Sequence, residues 1–353
     1  PFATVLEPSC GDGVFLEAAG RRLVELGARP RDISEQLLGV EIEASEAEKS
    51  RERLRALGVS KPGVRCDDFF PFCKAALADR RFDAVVGNPP FIRYQNFTDE
   101  QRSFAFHLMA QAGLRPNRLT NAWAPFIVGS ILLLNEGGRL AMVVPAELLQ
   151  VNYAAELRRF MSASFTRLTI FTFKKLVFPD IQQEVVLICG ERCGNEPGEA
   201  LIRAIELGNL GELSAHQHTA FESHELKSMD HSTEKWTQYF LSSQELDVLR
   251  NLRVHPKLTE LGEVAEVDVG VVTGMNEFFV LPKDQVRELR VEEHTERIVT
   301  RSSQLRGAFF STREWLEDGR KGTPVFLLNL PPPLLKRPTV SVERYISWGE
   351  KRG

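Results

Sequence analysis

Long apolar runs are absent from this chain of 353 residues, and the longest, around Phe126 to Leu134, falls far short of the roughly 18 residues a membrane-spanning helix needs. No membrane partner is expected. The amino-terminal residues carry no basic-then-apolar leader, so the expected compartment is the cytoplasm. Cysteine is scarce too: five in a chain this long do not make a disulfide framework and fit a reducing compartment. Cys189 and Cys193 stand in or beside the apolar run Val185-Val186-Leu187-Ile188, so a buried thiol is the better reading than a zinc pair. His216, His218, His224 and His231 share a polar stretch, but no Cys or His-Glu-x-x-His pattern completes a ligand set, and no metal is expected. Excess positive charge is also lacking. With 44 Lys+Arg against 48 Asp+Glu the chain is not a uniformly basic binder of polyanions, so any such contact must be local. From Arg301 to Arg352 ten basic residues face five acidic ones, and Lys336, Arg337, Arg344, Lys351 and Arg352 are the candidates there for phosphate contacts. The bland reading of each is a solvated face.

What is present begins with Val5-Leu6-Glu7-Pro8-Ser9-Cys10-Gly11-Asp12-Gly13, a short strand running into a Gly-rich turn and then a helix to about Leu26. Gly11 and Gly13 permit a tight turn and close backbone approach to a ligand. A pyrophosphate site prefers Gly-x-Gly-x-x-Gly, but the sixth position is Leu16, and no Gly-Lys-Ser/Thr phosphate loop occurs. Nicotinamide and nucleoside-triphosphate readings lose ground. A second apolar run, Leu37-Leu38-Gly39-Val40, ends in Glu41-Ile42, where an acid at a strand's carboxyl end can accept both hydroxyls of a ribose. Its alternative is a solvated glutamate at a helix start. A third unit, Val64 to Phe70, again sets acid and aromatic, Asp68 and Phe69, just past a strand.

The most informative segment is Val85-Val86-Gly87-Asn88-Pro89-Pro90-Phe91. Two prolines hold the backbone extended and leave its carbonyls unclaimed by a local ladder. Asn88 adds a side-chain carbonyl and Phe91 an aromatic face. Two acceptors and a platform suit an exocyclic amino group on a ring, as an amine-methylating site requires. The alternative is an ordinary turn in which Asn bends the chain and Pro stiffens it.

Further along, Thr98-x-x-Gln101 predicts a capping box opening a helix over Asp99–Gln111. A helix from Asn121 to Asn135 stopped by Gly137-Gly138, a strand over 140–144, a helix from Pro145 to near Ser162, and strands at 167–173 and 184–189 complete the expected layout. Strand and helix alternate, which argues an α/β fold with a doubly wound, mostly parallel sheet over residues 1–205. Residues 206–235, rich in His, Ser and Glu, read as a linker, and short apolar runs over 236–353 read as a smaller β-rich domain.

Taken together, Glu7-Pro8-Ser9-Cys10-Gly11-Asp12-Gly13, Glu41, Asp68-Phe69 and Asn88-Pro89-Pro90-Phe91 resemble, in order, the motifs of gamma-type N6-adenine DNA methyltransferases. The resemblance implies a class I S-adenosylmethionine-dependent fold. Glu7, Pro8, Cys10, Gly11 and Gly13 then belong to the cofactor loop, Glu41 and Ile42 lie at the ribose, and Asp68 and Phe69 lie at the cofactor adenine. Asn88, Pro89, Pro90 and Phe91 become the catalytic motif. Leu176-Val177-Phe178-Pro179 resembles the segment whose aromatic packs on a flipped base, making Phe178 the candidate, with Tyr94, Arg93 and Lys174 near the same nucleotide. Phe178 reads equally well as a core residue.

Residues 236–353 are similar to the specificity domain of single-chain modification enzymes. The implied partners are double-stranded DNA and a restriction endonuclease, separate or fused, with the enzyme a monomer. A cofactor motif usual upstream of Glu7 and the end of the specificity domain are expected to lie outside this sequence. Two further readings stay open: methylation of an RNA base or a protein glutamine, and a catalytically silent DNA-binding specificity protein.

Overall fold

The computed structural model describes residues 1–92, 96–115, 121–175, 184–193, 200–215, 224–230, 234–266, 268, 270–307 and 309–350. They form two compact units, Pro1–Leu258 and Thr259–Gly353.

The first unit is built on a sheet of Val5–Glu7 (β1), Leu37–Glu41 (β2), Val64–Cys66 (β3), Phe82–Gly87 (β4), Leu134–Pro145 (β5), Phe165–Phe173 (β6), Val185–Arg192 (β7), Leu201–Leu207 (β8) and Lys227–Ser228 (β9). Their order is β3-β2-β1-β4-β5-β7-β6-β8-β9. The five strands from β3 to β5 are parallel. β7 enters antiparallel between β5 and β6, and β8 returns parallel to β6.

Successive strand residues feed opposite faces. Val5 and Leu37 join a cluster with Leu16, Leu23 and Leu54, while Leu6 and Leu38 join a larger one with Phe69, Trp123 and Ile127. Helices Val14–Glu25 (α1) and Ala44–Ala56 (α3) supply the first cluster, with the short Ile33–Gln36 (α2) between them. Helices Phe69–Ala76 (α4), Asp99–Gln111 (α5), Trp123–Leu132 (α6) and Ala155–Ser164 (α7) supply the second. The α/β fold is therefore as expected, and α5 has both arms of its capping box, from Thr98 and Gln101.

Several local expectations are corrected. Gly137 and Gly138 lie inside β5, where the β4–β5 register shifts between Phe82 and Ala84, so the glycines form an irregularity instead of a helix stop. Two 3-10 turns, Ala146–Leu149 and Asn152–Ala154, precede α7 where one continuous helix was expected. The stretch read as a linker contains the end of β8 and all of β9, and β9 pairs with β8.

The segment read as the start of the second domain also packs into the first unit. Trp236, Tyr239 and Leu246 belong to its main core. The buried Arg158 donates from Nε to the Glu234 carbonyl at 2.9 Å and from Nη1 to the Leu148 and Val151 carbonyls at 3.0 Å each. The first unit thus runs on through Leu258.

The second unit is less β-rich than the sequence suggests. Its described sheet has three strands of two or three residues, Val280–Leu281 (β10), Thr295–Arg297 (β11) and Phe326–Leu328 (β12), antiparallel in the order β10-β12-β11. Helices Lys283–Leu289, Thr312–Arg320 and Val340–Glu350 accompany it, and Leu281, Val286, Leu289, Leu328 and Tyr345 form its core. No helix among the described residues is long and apolar enough to cross a membrane.

Trp236→Ala tests the boundary. Removing this side chain is expected to cost the first unit about 3–5 kcal/mol, read from the urea midpoint of the intact chain. An unchanged midpoint for that unit would return Trp236 to the second domain.

Candidate functional site

β1 and β4 lie side by side, yet the chain leaves β1 toward β2 and leaves β4 toward β5. The loops at their carboxyl ends therefore diverge and open a crevice, the usual ligand position in a doubly wound sheet. A cleft of about 370 Å³ occupies it. Pro8, Ser9 and Gly11 come to it from the β1 loop, Glu41, Ile42 and Glu43 from the end of β2, and Asp67, Asp68, Phe69 and Phe70 from the end of β3. Asn88 and Pro90 come from the end of β4. The Ser9 hydroxyl donates to the Asn88 carbonyl at 3.5 Å, joining the two loops across the crevice.

Both oxygens of Glu41 accept backbone N–H groups, Oε2 from Gly11 at 2.8 Å and Oε1 from Glu43 at 2.9 Å. The carboxylate thereby fixes the glycine turn to β2, and each oxygen keeps a further lone pair for a ligand. Asp68 is similarly committed. Oδ1 caps α4 by accepting from Phe70 N at 2.9 Å, and Oδ2 accepts from Gln101 Nε2 at 2.9 Å, so the residue that caps α5 also ties α5 to the cleft.

Phe69 stacks on Phe126 with centroids 4.9 Å apart at 11°. Phe70 lies 4.9 Å from Phe126 and meets Phe97 edge-on at 5.8 Å. The sequence pointed to Phe69. It did not single out Phe70, Phe97, Phe126 or Gln101 as wall residues, because their convergence is tertiary.

Not every expected cofactor residue faces the cleft. Gly13, at φ 88°, is required by packing: a Cβ would fall 2.5 Å from Ser50 Oγ and 2.8 Å from its Cα, on α3. Cys10 is buried, its N–H bonded to the Val40 carbonyl at 3.0 Å, and burial pushes its thiol up to about 12. Pro89 is buried, and Phe91 is half-buried against the main core instead of lining the cleft. Asn88 is exposed. Lys174 is exposed and pairs with Glu206 at 3.2 Å. Arg337 is exposed, whereas Arg93, Tyr94, Phe178 and the side chain of Lys336 lie outside the described residues.

Glu7, only 2% exposed, ends β1 behind the glycine turn. The Leu16 N–H bonds to its carboxyl, but Oε2 has no partner among the described residues. Burial first, then the nearby Asp12 and Glu41, push it up to about 9, so it is neutral at pH 7. The cleft itself is lined by Glu41, Glu43, Asp67 and Asp68, and by no Lys or Arg among the described residues. An acidic, aromatic-walled crevice suits a cationic ligand with a planar ring and a diol, and disfavours polyphosphates.

Residues 35–178 match the family described as Eco57I restriction-modification methylase, and residues 233–353 match the C-terminal domain of the Type II methyltransferase M.Eco57I. Among curated proteins, the Type II methyltransferase M.BstVI of Geobacillus stearothermophilus is 30% identical over 46% of this chain and 32% of its own length. M.AccI of Acinetobacter calcoaceticus is 20% identical over 98% of this chain and 61% of its own length. The chain thus spans between about a third and three-fifths of these relatives. Among solved structures, a nuclease-deletion mutant of the Type ISP restriction-modification enzyme LlaGI, in complex with a DNA substrate mimic, shares the fold. It superposes with a TM-score of 0.61 at 15% identity, over 91% of this chain and 32% of that one.

The buried Glu7 sets a pH dependence. The folded state holds a proton that the unfolded chain releases near 4.5, so the stability from this group is full below about pH 4.5 and declines as pH rises toward 9. In the ligand-free protein Glu7→Gln is expected to remove that decline, with a gain on the order of 3 kcal/mol at pH 7 and little change at pH 4.5. Urea midpoints at the two pH values check this, and identical pH profiles for both proteins would show that Glu7 is ionised in the fold.

Proposed function

This chain belongs to the Eco57I-type restriction–modification methylases, and on that premise we propose that it transfers the methyl group of S-adenosylmethionine to N6 of an adenine flipped out of duplex DNA. The observation that carries the reading is the placement of Asn88-Pro89-Pro90 at the end of β4, beside an acidic, aromatic-walled cleft at the crossover of the sheet.

The cleft residues fit the cofactor. Glu41 holds the ribose hydroxyls with the lone pairs left over from Gly11 and Glu43, while Asp68 and the Phe69, Phe70 and Phe126 wall take the adenine. The unpartnered Oε2 of Glu7, behind the glycine turn, is the acceptor nearest in chemistry to the methionine ammonium. When bound, S-adenosylmethionine supplies an electrophilic methyl on a positively charged sulfur.

This chain's own residues make the amine able to use it. The N6 lone pair of adenine is delocalised into the ring and is a poor nucleophile. The Asn88 side-chain oxygen and the Pro89 carbonyl, accepting the two N–H bonds of N6, return electron density to nitrogen and orient it. The prolines leave these acceptors without backbone competitors, and the Ser9 bond to the Asn88 carbonyl fixes where the motif begins. Flipping the base costs a few kcal/mol of stacking, which the exposed part of Phe91 and Phe178 offset. The second unit then serves target recognition, with Arg337 and Lys336 among its phosphate contacts. The chain acts as a cytoplasmic monomer, paired with an endonuclease that is separate or fused.

Labelled S-adenosylmethionine offered with unmethylated duplex DNA, RNA and protein should place label only in N6-methyladenine of the DNA, as read by nucleoside analysis. Label in RNA, in protein or in a cytosine product would overturn the assignment. Asn88→Ala is expected to lower the transfer rate by on the order of 10²–10³ while cofactor affinity by calorimetry stays within a few-fold, because Asn88 serves the amine.

A further inference from the structure

The second unit contains a concavity of about 490 Å³ remote in sequence from every motif of the catalytic cleft. Arg290 enters it from the end of the helix Lys283–Leu289, and His294 from the turn that precedes β11. Ser341 and Arg344 enter from the helix Val340–Glu350. Glu292 and Glu293 also line it, yet neither arginine forms an ion pair with them or with any other acid among the described residues. Three other arginines of this unit are engaged: Arg306 pairs with the buried Asp318 at 2.6 Å, Arg313 with Glu317 at 3.2 Å, and Arg297 covers the Trp315 ring. Two exposed guanidiniums converging from separate elements on one concavity, with no acid closing on them, are available to an external anion.

Arg290 adds an independent observation. It is the non-glycine residue found at positive φ among the described residues, at 56°, and it caps its helix in the left-handed conformation. Glycine meets that backbone demand without penalty.

We propose that this concavity is a socket for one backbone phosphate of duplex DNA, gripped by Arg290 and Arg344 together, with Ser341 and His294 as further donors. The proposal rests on the DNA reading above and names where, in the second unit, the duplex is held. Glu292 and Glu293 weaken the site for a free anion. A phosphate in a polymer, held in place by its neighbours' contacts, tolerates them. Such a contact positions the duplex and reads no sequence.

The test uses the full chain and a labelled duplex of random sequence, with affinity measured by anisotropy from 50 to 200 mM KCl. Neutralising one phosphate contact lowers the slope of log affinity against log salt by about 0.9. Arg290→Gly and Arg344→Gln are each expected to show that loss and a roughly ten-fold weaker affinity at low salt, alike for all sequences. The double variant should lose no more than either single one, because both arginines grip one phosphate. Arg290→Gly should melt no lower than wild type, since glycine relaxes the left-handed position, which separates lost binding from lost folding. Wild-type protein with no affinity for any duplex would overturn the DNA reading itself. Wild-type binding with unchanged slopes in the variants would overturn the socket, and additive losses would overturn the shared phosphate. A response of His294 resonances to inorganic phosphate, with the duplex slope intact in the variants, would make it a free-anion site and overturn the assignment to DNA.

Discussion

The cleft depends on one topological fact: β1 and β4 are neighbours whose chains depart in opposite directions. Parallel strands leave their carboxyl-end carbonyls and the following loops unpaired on the same edge, and divergence keeps those loops from closing on each other. Side chains then hold the crevice open from behind. Gly39 has no side chain because Leu16 Cδ1 and Cys10 Sγ lie 2.5 and 2.8 Å from where its Cβ would be. Gly13 is bare because α3 comes up against it, and the Cys10 N–H bonds to the Val40 carbonyl. Gly13 and Cys10 are therefore packed and bonded, and Gly11 is left at the cleft.

The front is shaped by double use of a few polar side chains. Glu41 receives Gly11 and Glu43, Asp68 receives Phe70 and Gln101, and Gln101 also accepts the Thr98 N–H at 3.1 Å. Substituting any of these removes a structural bond, so an affinity loss at Glu41 or Asp68 would not by itself report a ligand contact. Asn88 differs. It is exposed and its side chain makes no such structural bond among the described residues, which makes it the cleaner probe of chemistry.

Sequence patterns report what is local. The Gly-rich turn, the Asn-Pro-Pro segment and the Thr98–Gln101 box are contiguous, and each appears in the fold where its residue types require it. Which glycine faces a ligand and which faces a helix is decided by α3, far along the chain, so Gly11 and Gly13 look alike in sequence and differ in role. The same limit explains why the first compact unit runs on past residue 236, where the sequence, like the matched C-terminal family domain that starts at residue 233, begins a second domain. Residues 206–235 look polar and linker-like and residue 236 onward reads as a second domain, yet Lys227 Nζ donates to the Tyr239 carbonyl at 2.9 Å, the Asp230 N–H to the Tyr239 hydroxyl at 2.9 Å, and Arg158 to the Glu234 carbonyl. No periodicity announces a segment held by single long-range bonds. The aromatic wall fails to show for a related reason: Phe70, Phe97 and Phe126 come from three separate elements, whereas the adjacent Phe91 turns into the core.

Electrostatics explains why this crevice, on a layout shared with dinucleotide-binding proteins, is suited to another class of ligand. Phosphate-binding turns offer backbone N–H groups and basic side chains to an anion. Here the Gly11 N–H is already taken by Glu41, four carboxylates line the cleft, and Arg53 is paired with Asp12, next to Gly11 in the turn, at 2.6 Å. Behind them burial first, then Asp12 and Glu41, push Glu7 up to about 9, and its Oε2 has no partner among the described residues. A ligand bearing an ammonium would remove that condition, letting Glu7 ionise against a charge instead of against Asp12 and Glu41. The fold keeps a buried acid whose burial lowers stability as pH rises above 4.5. A doubly wound sheet can thus be turned from anionic to cationic cofactors by the acids at three strand ends, with its topology unchanged.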